Sequence, residues 1–249
     1  MIKLFRKTRQ KLLLQNLPKG QANITRQYFK YAIGEILLVV IGILIALYIN
    51  NWNEIRKDRI EEKAILEELH KDFKNNLRKF NNLKTIHVNS LQASLKFKEY
   101  INKPNLLVVK DSIAKYYFLA FNNTSYNPSN GVVKSLISSG EYKLIKNDTL
   151  RNYLISWEDA VEDYLEGERL EANLWSEKIE PYIIDYGDFA NLANPKNFKL
   201  ITTSKFKNLT ERHIFNLKNI LRSIKNEPLE NHLNEIVRLT TTKDDSTHD

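Results

Sequence analysis

An apolar run near the start of the chain constrains the fold more than any other feature. Between Tyr31 and Ile49 the only charged residue is Glu35, and the others are Leu, Ile, Val, Ala, Gly and Tyr. A helix of this length extends about 28 Å, close to the roughly 30 Å of a bilayer hydrocarbon core. A buried helix of a soluble protein would keep a polar stripe, and residues 36–47 have none. We therefore predict a transmembrane helix over residues 31–49.

The flanking charges predict the orientation of this helix. The first 30 residues carry no acidic residue and eight basic ones, which are Lys3, Arg6, Lys7, Arg9, Lys11, Lys19, Arg26 and Lys30. The charges directly after the run are mixed, so the positive-inside rule places the N-terminus in the cytoplasm and the remainder outside. Tyr48 disrupts the small-x-small pattern that signal peptidase requires, which favours an uncleaved signal anchor.

The same segment predicts contacts with lipid. Apolar residues alternate with the basic ones at roughly helical spacing, which is typical of a short amphipathic helix on an anionic inner leaflet. The basic residues that we expect to contact lipid there are Lys3, Arg6, Lys7, Arg9 and Lys11. Tyr31 and Trp52 are the expected aromatic anchors at the two membrane interfaces.

Small residues within the run predict close contact with a second membrane helix. Gly42 and Ala46 form a small-xxx-small pair, and Gly34 extends that line by two further turns. Glu35 lies about one turn inside the run and has two interpretations. It is either an interfacial carboxylate that reaches the headgroups or a contact with another helix, including a second copy of this chain.

The run belongs to a longer pattern. Its residues are Tyr31, Gly34-Glu35-Ile36, Val39-Val40-Ile41-Gly42-Ile43, Ile45-Ala46-Leu47 and Asn50-Asn51-Trp52-Asn53-Glu54, preceded by Phe5-Arg6-Lys7-x-Arg9 and followed later by Ser138-Ser139-Gly140 and Ile145-x-Asn147-x-x-Leu150-Arg151. This pattern resembles an uncharacterised membrane-anchored family, a domain of unknown function from flavobacteria and their relatives. The resemblance covers nearly the whole chain and is most specific in the first 55 residues, although Tyr48 stands where Gln is expected. It implies a Gram-negative inner membrane and a periplasmic domain, and it implies no activity.

Beyond Asn51 the apolar residues recur at helical spacings of three and four. The first row predicts a helix over residues 51–101, which is either unbroken or broken near Val88. This row comprises Leu66, Leu69, Phe73, Leu77, Phe80, Leu83, His87, Leu91, Leu95 and Ile101. A second row, which predicts a helix over residues 148–179 ended by Pro181 and Gly187, comprises Leu150, Leu154, Trp157, Val161, Tyr164, Ala172, Trp175 and Ile179. Asn147 or Asp148 is the predicted N-cap of this second helix. Shorter helices are predicted from Asp111 as N-cap, over residues 131–139 with Gly140 just after the C-terminus, from Ser204, and after Pro228.

The fold class follows from these helices and from the scarcity of other signals. Seven Gly and six Pro are few for 249 residues, and no alternating strand pattern of useful length occurs. We predict an all-α protein with one N-terminal transmembrane helix followed by an antiparallel helical bundle built on two long helices. Its segments are a basic cytoplasmic segment (1–30), the transmembrane helix (31–49), the periplasmic bundle (50–239) and a polar tail (240–249).

Charge and cysteine content exclude several classes of function. The net charge is +8, but the first 30 residues supply all of the excess, and 30 basic residues face 29 acidic ones from residue 51 onward. The main domain therefore lacks the basic face that a nucleic-acid partner needs. The chain has no Cys, which excludes disulfides, thiolate metal sites and a thiol nucleophile.

No sequence motif predicts a metal site, a cofactor or a catalytic centre. Glu67-x-x-His70 has the spacing found in di-iron bundles, but His232 and Glu235 run in the reverse order, so a solvated ion pair is the prediction. An acidic run predicts a solvent-facing surface, or else a site for a cation or basic partner; it comprises Glu158, Asp159, Glu162, Asp163, Glu166 and Glu168. Aromatic residues that predict core packing, or else a ligand pocket, are Tyr116, Tyr117, Phe118, Phe121, Tyr126, Tyr153, Trp157 and Tyr164.

These observations favour a single-pass inner-membrane protein that presents its periplasmic bundle for protein binding or scaffolding and is not an enzyme. The expected partners are membrane lipid and a protein of the inner membrane or periplasm, with a homo-oligomer as one possibility. One alternative is a periplasmic sensor of a small ligand that signals through its transmembrane helix to a separate partner. A second alternative is a metal-dependent enzyme.

Overall fold

A computed structural model describes residues 21–122, 124–188, 190–191, 194–226 and 228–241. Among these residues all regular secondary structure is helical and no strand occurs, which confirms the predicted all-α class. The α-helices are α1 (Gln21–Tyr100), α2 (Lys110–Ala120), α3 (Gly131–Ser139), α4 (Asp148–Ile155), α5 (Trp157–Leu174), α6 (Glu180–Tyr186), α7 (Pro195–Thr202), α8 (Ser204–Asn226) and α9 (Leu229–Thr240). A short 3₁₀ helix covers Glu141–Leu144, and a π-helical segment covers Trp175–Ile179.

Helix α1 contains the apolar run and is long and apolar enough to span a membrane. It is the one such helix in the described part of the chain, and none of its most apolar stretch is buried. The helix continues without a break through Val88, so of the two alternatives for residues 51–101 the unbroken one is correct. The chain separates into two compact units, Met1–Arg59 and Ile60–Asp249. The predicted amphipathic helix before the run and most of the predicted polar tail lie outside the described residues.

The prediction of one continuous helix over residues 148–179 is wrong. It divides at Ser156, which caps α4 and precedes α5. The Ser156 hydroxyl donates a 2.9 Å hydrogen bond to the carbonyl of Asn152 one turn earlier, and such back-bonding bends helices.

The prediction that Pro181 ends this helix is also wrong, because helical structure continues to Tyr186. Proline has no N–H to donate, and its ring would clash with the carbonyl four residues earlier in a regular α-helix. The π-helical segment directly before it changes the hydrogen-bond register, and the N–H of Glu180 bonds to the carbonyl of Trp175, five residues back. This wider turn lets the helix continue as α6.

Capping explains some helix ends in the second unit and not others. Asn147 caps α4, and its side chain accepts a 3.0 Å hydrogen bond from the N–H of Leu150, as predicted. Gly140 ends α3 in the left-handed conformation with φ of 81°, which also agrees with the prediction. The prediction for Asp111 is wrong: it lies in the first turn of α2, where its carboxylate faces the positive end of the helix dipole without capping it.

Two apolar cores organise the second unit. The first core contains Ile65, Leu69, Phe73, Phe80 and Leu83 of α1 together with residues of α3, α4, α5, α8 and α9. The second core contains Ala93, Phe97 and Ile101 of α1 together with Ile113, Ala120, Phe121, Leu174, Ile179, Ile183, Leu200, Ile201 and Phe206. Edge-to-face ring pairs lie in both cores, for example Phe73 with Trp157 at 4.8 Å and Phe97 with Phe121 at 5.8 Å.

Three helices run through both cores, and their buried side chains are polar in the region between the cores. Helices α1, α5 and α8 each contribute apolar side chains to the two cores, and each has buried polar side chains in between. We call these polar residues the polar layer; they are His87, Ser90, Ser94, Glu168, Glu171, Thr210, His213 and Asn216. Burying a polar group costs free energy unless the group is hydrogen-bonded. The hydrogen bonds of the polar layer are therefore as important to the fold as the apolar contacts of the two cores.

Candidate ligand-binding site

Helical spacing brings the polar layer together. On α1 the residues His87, Ser90 and Ser94 recur every three or four positions, in line with the apolar row of the same helix. Glu168 and Glu171 are three positions apart on α5, and both are about 95% buried, with 5% and 6% exposed area. The layer therefore forms one continuous polar surface inside the domain.

Glu168 is fully hydrogen-bonded. Its Oε1 accepts a 2.7 Å bond from the Tyr164 hydroxyl and lies 3.1 Å from Nε2 of His87. Its Oε2 accepts bonds from the Ser125 hydroxyl at 2.6 Å and from the N–H of Tyr126 at 2.8 Å. Burial acts to raise the pKa of Glu168, but the hydrogen bonds from these four groups outweigh it and hold the pKa below its ordinary value. Glu168 is thus an ionised carboxylate, and its hydrogen bonds to Ser125 and Tyr126 hold the loop before α3 against α5.

Only one of the two carboxylate oxygens of Glu171 has a hydrogen-bond partner among the described residues. Its Oε1 lies 2.5 Å from Nδ1 of His213, whose Nε2 lies 3.1 Å from the carbonyl oxygen of Ala120. A carbonyl oxygen only accepts, so Nε2 of His213 is the donor in the contact with Ala120. The Oε2 of Glu171 is buried and has no hydrogen-bond partner among the described residues. Buried carboxylate oxygens in native domains usually accept a hydrogen bond, so this atom is a candidate acceptor for a bound ligand.

A cavity of about 350 Å³ adjoins these residues. Its inner wall includes His87, Ser90, Glu168, Glu171 and His213, which are buried, and its outer wall consists of groups from the loop before α3 and from the end of α5. The exposed residues at its mouth are Asn122, Ser125, Ala172 and Ser176. Trp175, the first residue of the π-helical segment, also lines it, and π-helical turns occur frequently at functional sites. The cavity is therefore open to solvent and polar at its inner end.

A second cavity of about 140 Å³ lies within the second core. Phe97, Ile113 and Phe206 line it, together with Tyr117, whose hydroxyl is buried and has no hydrogen-bond partner among the described residues. Burial raises the pKa of Tyr117 to about 12, with a smaller contribution from Glu180. The polar side chains of Lys110, Asp111 and Asn197 also line this cavity, but its volume lies below the range of small-molecule sites, so the larger cavity is the better candidate site.

The residues predicted for membrane contact lie in the first unit, on the exposed surface of α1. Gly34, Glu35, Gly42 and Ala46 are all exposed there, and a Cβ added at either glycine would meet nothing within 4 Å. Tyr31 and Trp52 are 66% and 56% exposed. The predicted lipid contacts Lys3, Arg6, Lys7, Arg9 and Lys11 lie outside the described residues. The role of each of these residues stays a prediction.

The interpretation of His70 as half of a solvated ion pair is wrong. Its Nδ1 lies 3.2 Å from the carbonyl oxygen of Val237 and 3.2 Å from the Thr240 hydroxyl, so it fastens α1 to the end of α9. Glu67 is exposed and pairs with Lys63 at 3.7 Å. Over the described ranges, no group of three or more His, Asp or Glu is placed to hold a metal ion.

The acidic run is solvent-facing except at its last residue. Glu158 and Glu162 are exposed and pair with Lys134 and Arg169, as expected for a solvated helix face. Glu168 was expected on that face and is instead buried, because it lies one helical turn after the buried Tyr164 and so shares the face that packs on α1. Among the predicted aromatic residues, Tyr126, Trp157 and Tyr164 are core residues, whereas Phe118 is 60% exposed.

Glu171 and His213 match no motif in the sequence, and apolar spacing indicates only part of the polar layer. The apolar row of α5 has a gap between Tyr164 and Ala172, where Glu168 and Glu171 lie, and the polar residue His87 occupies a position in the apolar row of α1. Helix α8 has no such gap, because the buried Ile214 directly follows His213. The sequence therefore indicates the polar layer on α1 and α5 but not on α8.

The model of a family of unknown function, DUF6090, matches this chain over residues 35–220. The match contains the apolar run from Glu35 onward and every residue of the polar layer. No match was found among curated proteins or solved structures. Because the matched region covers about three quarters of its length, this chain belongs to the DUF6090 family.

Proposed function

We propose that this protein is a single-pass protein of a bacterial inner membrane whose helical domain lies on the periplasmic side and binds a small polar ligand. The apolar run of α1 and the eight unopposed basic residues before it support the membrane location and the orientation. The contacts that join α1, α5 and α8 support the further proposal that the second unit is an antiparallel helical bundle. The binding role is proposed in preference to catalysis, for which the sequence offers no motif.

The observation that carries the ligand-binding role is the polar cavity, whose wall includes Glu171, a buried carboxylate with one oxygen that has no partner among the described residues. Its volume of about 350 Å³ lies within the range of small-molecule sites. The network around Glu168 fixes one side of the cavity before any ligand arrives, so little ordering is required on binding. This is the arrangement expected of a domain that recognises a small molecule and passes the signal to a separate partner through the membrane helix.

The proposal predicts that blocking the mouth of the cavity abolishes ligand-dependent stabilisation. Ala172→Trp places an indole at the exposed mouth without altering the buried hydrogen bonds. The full chain in detergent is melted in the presence of separate pools of cationic, neutral and anionic small metabolites. A ligand at about 100 times its Kd stabilises by about 2.7 kcal/mol, which raises the Tm of a domain of this size by roughly 5–10 °C. We expect at least one pool to raise the Tm of the unmodified protein and not that of Ala172→Trp.

Asn173→Trp is the matched control, because Asn173 is the neighbouring exposed residue of α5 and does not line the cavity. It should respond to the same pool as the unmodified protein. A Tm that no pool raises, or a rise that persists in Ala172→Trp, contradicts the proposal.

Protein binding is the second candidate function, and exposed apolar side chains favour it. Leu107, Val108 and Phe118 are 66%, 78% and 60% exposed around the start and outer face of α2. Large exposed apolar residues that fall close together in a chain are typical of contact surfaces. Crosslinking of the full chain in its native membrane, read by mass spectrometry, tests this candidate: crosslinks from this segment to another protein or a second copy support it, and a solitary monomer contradicts it.

A further inference from the structure

We infer that the ligand of the polar cavity is a small molecule that carries an ammonium group, and that this group binds at Glu171. The inference rests on the proposed function and specifies its ligand class. It starts from the Oε2 of Glu171, which is an acceptor only, is buried, and has no donor among the residues that the structure describes. A ligand N–H directed at this oxygen would supply the missing hydrogen bond, and a bond between two charged groups is the strongest form of it.

The charges around the cavity select a cation over an anion. Two carboxylates, Glu168 and Glu171, lie in its wall, and no Lys or Arg occurs among the described residues that line it. The basic groups in the wall are His87 and His213, and each is already engaged with one of these carboxylates at 3.1 Å and 2.5 Å. An anionic ligand would therefore meet two carboxylates with no free cation to balance it, and like charges at close range are strongly unfavourable.

The other wall residues fit an organic ammonium group better than a bare metal ion. Trp175 lines the cavity, and indole is the best aromatic partner for an ammonium group. Hydroxyl and amide groups of Ser90, Asn122 and Ser176 can bind polar substituents elsewhere on the ligand. A metal ion would need several free ligand atoms, whereas all contacts of Glu168 and both ring nitrogens of His213 are in use.

Three compounds that differ at one end test the ligand class. 4-Amino-1-butanol, 1,4-butanediol and 4-hydroxybutyrate share a hydroxyl and a four-carbon chain, and they end in an ammonium, a hydroxyl and a carboxylate group. Binding to the full chain in detergent is measured by calorimetric titration. We expect 4-amino-1-butanol to bind at least tenfold more tightly than the diol, and 4-hydroxybutyrate to bind more weakly still.

The variant Glu171→Gln tests the site. Its amide oxygen can still accept from His213, so the domain keeps its fold, but an NH₂ donor now occupies the position of Oε2. Loss of a charge-assisted bond there should weaken 4-amino-1-butanol binding by about tenfold to a hundredfold. Glu166→Gln is the matched control, since it removes the same charge from an exposed position of α5 outside the cavity, and it should bind as the unmodified protein does.

Each remaining outcome contradicts the inference in a distinguishable way. If 4-amino-1-butanol binds no more tightly than the diol, or equally well to Glu171→Gln, the ammonium assignment is wrong. If a neutral or anionic compound binds instead and Ala172→Trp abolishes that binding, the cavity keeps its proposed role and only the ligand class fails. If none of the three compounds binds and no metabolite pool raises the Tm, the ligand-binding role fails as well. Should Glu171→Gln not fold, loss of 4-amino-1-butanol binding in Ala172→Trp but not in Asn173→Trp decides whether the cavity is the site.

Discussion

Two glutamates one turn apart show how the partners of a residue determine its role. Glu168 and Glu171 lie on the same face of α5 and are buried to the same degree. Glu168 accepts hydrogen bonds from a loop, a tyrosine and a histidine, so it stabilises the domain. Glu171 has one oxygen paired with His213 and the other without a partner in the described part of the chain, and we propose that this second oxygen binds the ligand. The sequence shows two acidic residues in an acidic helix and does not distinguish them.

At this scale we predict that Glu168 makes the stability of the domain depend on pH. Native Glu168 binds its proton less tightly than Glu168 of the unfolded chain, so the unfolded state takes up more protons as the pH falls. The contribution of the ionised group is therefore fully present above the ordinary pKa of 4.5 and is lost as the pH falls through the lower native pKa. Glu168→Gln should lower the free energy of unfolding by about 3 kcal/mol at pH 7 and by progressively less below pH ~4.5.

Urea unfolding of the full chain in detergent, followed at several pH values, measures this effect. Glu166→Gln again serves as the control, and its free energy of unfolding should stay within about 0.5 kcal/mol of the unmodified protein at pH 7. A deficit of Glu168→Gln that is constant from pH 7 to pH 3 would show that the charge of Glu168 is not what stabilises the loop.

At the scale of single elements, the end of α3 depends on a conformation that only glycine adopts at low cost. Gly140 has φ of 81°, and Gly131 at the start of the same helix has ordinary backbone angles. A Cβ would meet nothing within 4 Å at either position, so the backbone angle is the main difference between them. Gly140→Ala should therefore lower the free energy of unfolding by about 1–2 kcal/mol, whereas Gly131→Ala should leave it unchanged or raise it slightly.

Thermal melting of the two variants side by side tests the prediction. Equal Tm values for Gly140→Ala and Gly131→Ala would mean that α3 does not end in the left-handed conformation described above.

The helices themselves were predictable wherever apolar spacing or a local cap defines them. The row from Leu66 onward predicts α1 to within one residue of its end at Tyr100, and Asn147 predicts the start of α4. The division at Ser156 and the π-helical turn before Pro181 were not predictable, because both depend on hydrogen-bond register and not on apolar spacing. A serine in a helical row is ordinary, and only its bond to Asn152 shows that it bends the chain.

At the scale of the whole molecule, the candidate site was not predictable because folding brings together residues that lie far apart in the sequence. His87, Glu168 and His213 are separated by 81 and 45 positions along the chain, and nothing local to any of them indicates that the other two are near. The membrane segment is the opposite case, since its length, composition and flanking charge are contiguous in the sequence. The membrane location is accordingly the claim on which the other proposals depend.

Labelling of single cysteines in cells tests this claim most directly, because the natural chain has no Cys and each introduced thiol is unique. Glu166→Cys places a thiol on the exposed face of α5, and Lys7→Cys places one in the basic N-terminal segment. A membrane-impermeant maleimide is added to cells whose outer membrane is permeabilised and whose inner membrane is intact. We predict that Glu166→Cys is labelled at once and Lys7→Cys only after the inner membrane is dissolved. Protection of Glu166→Cys until that point would contradict the account.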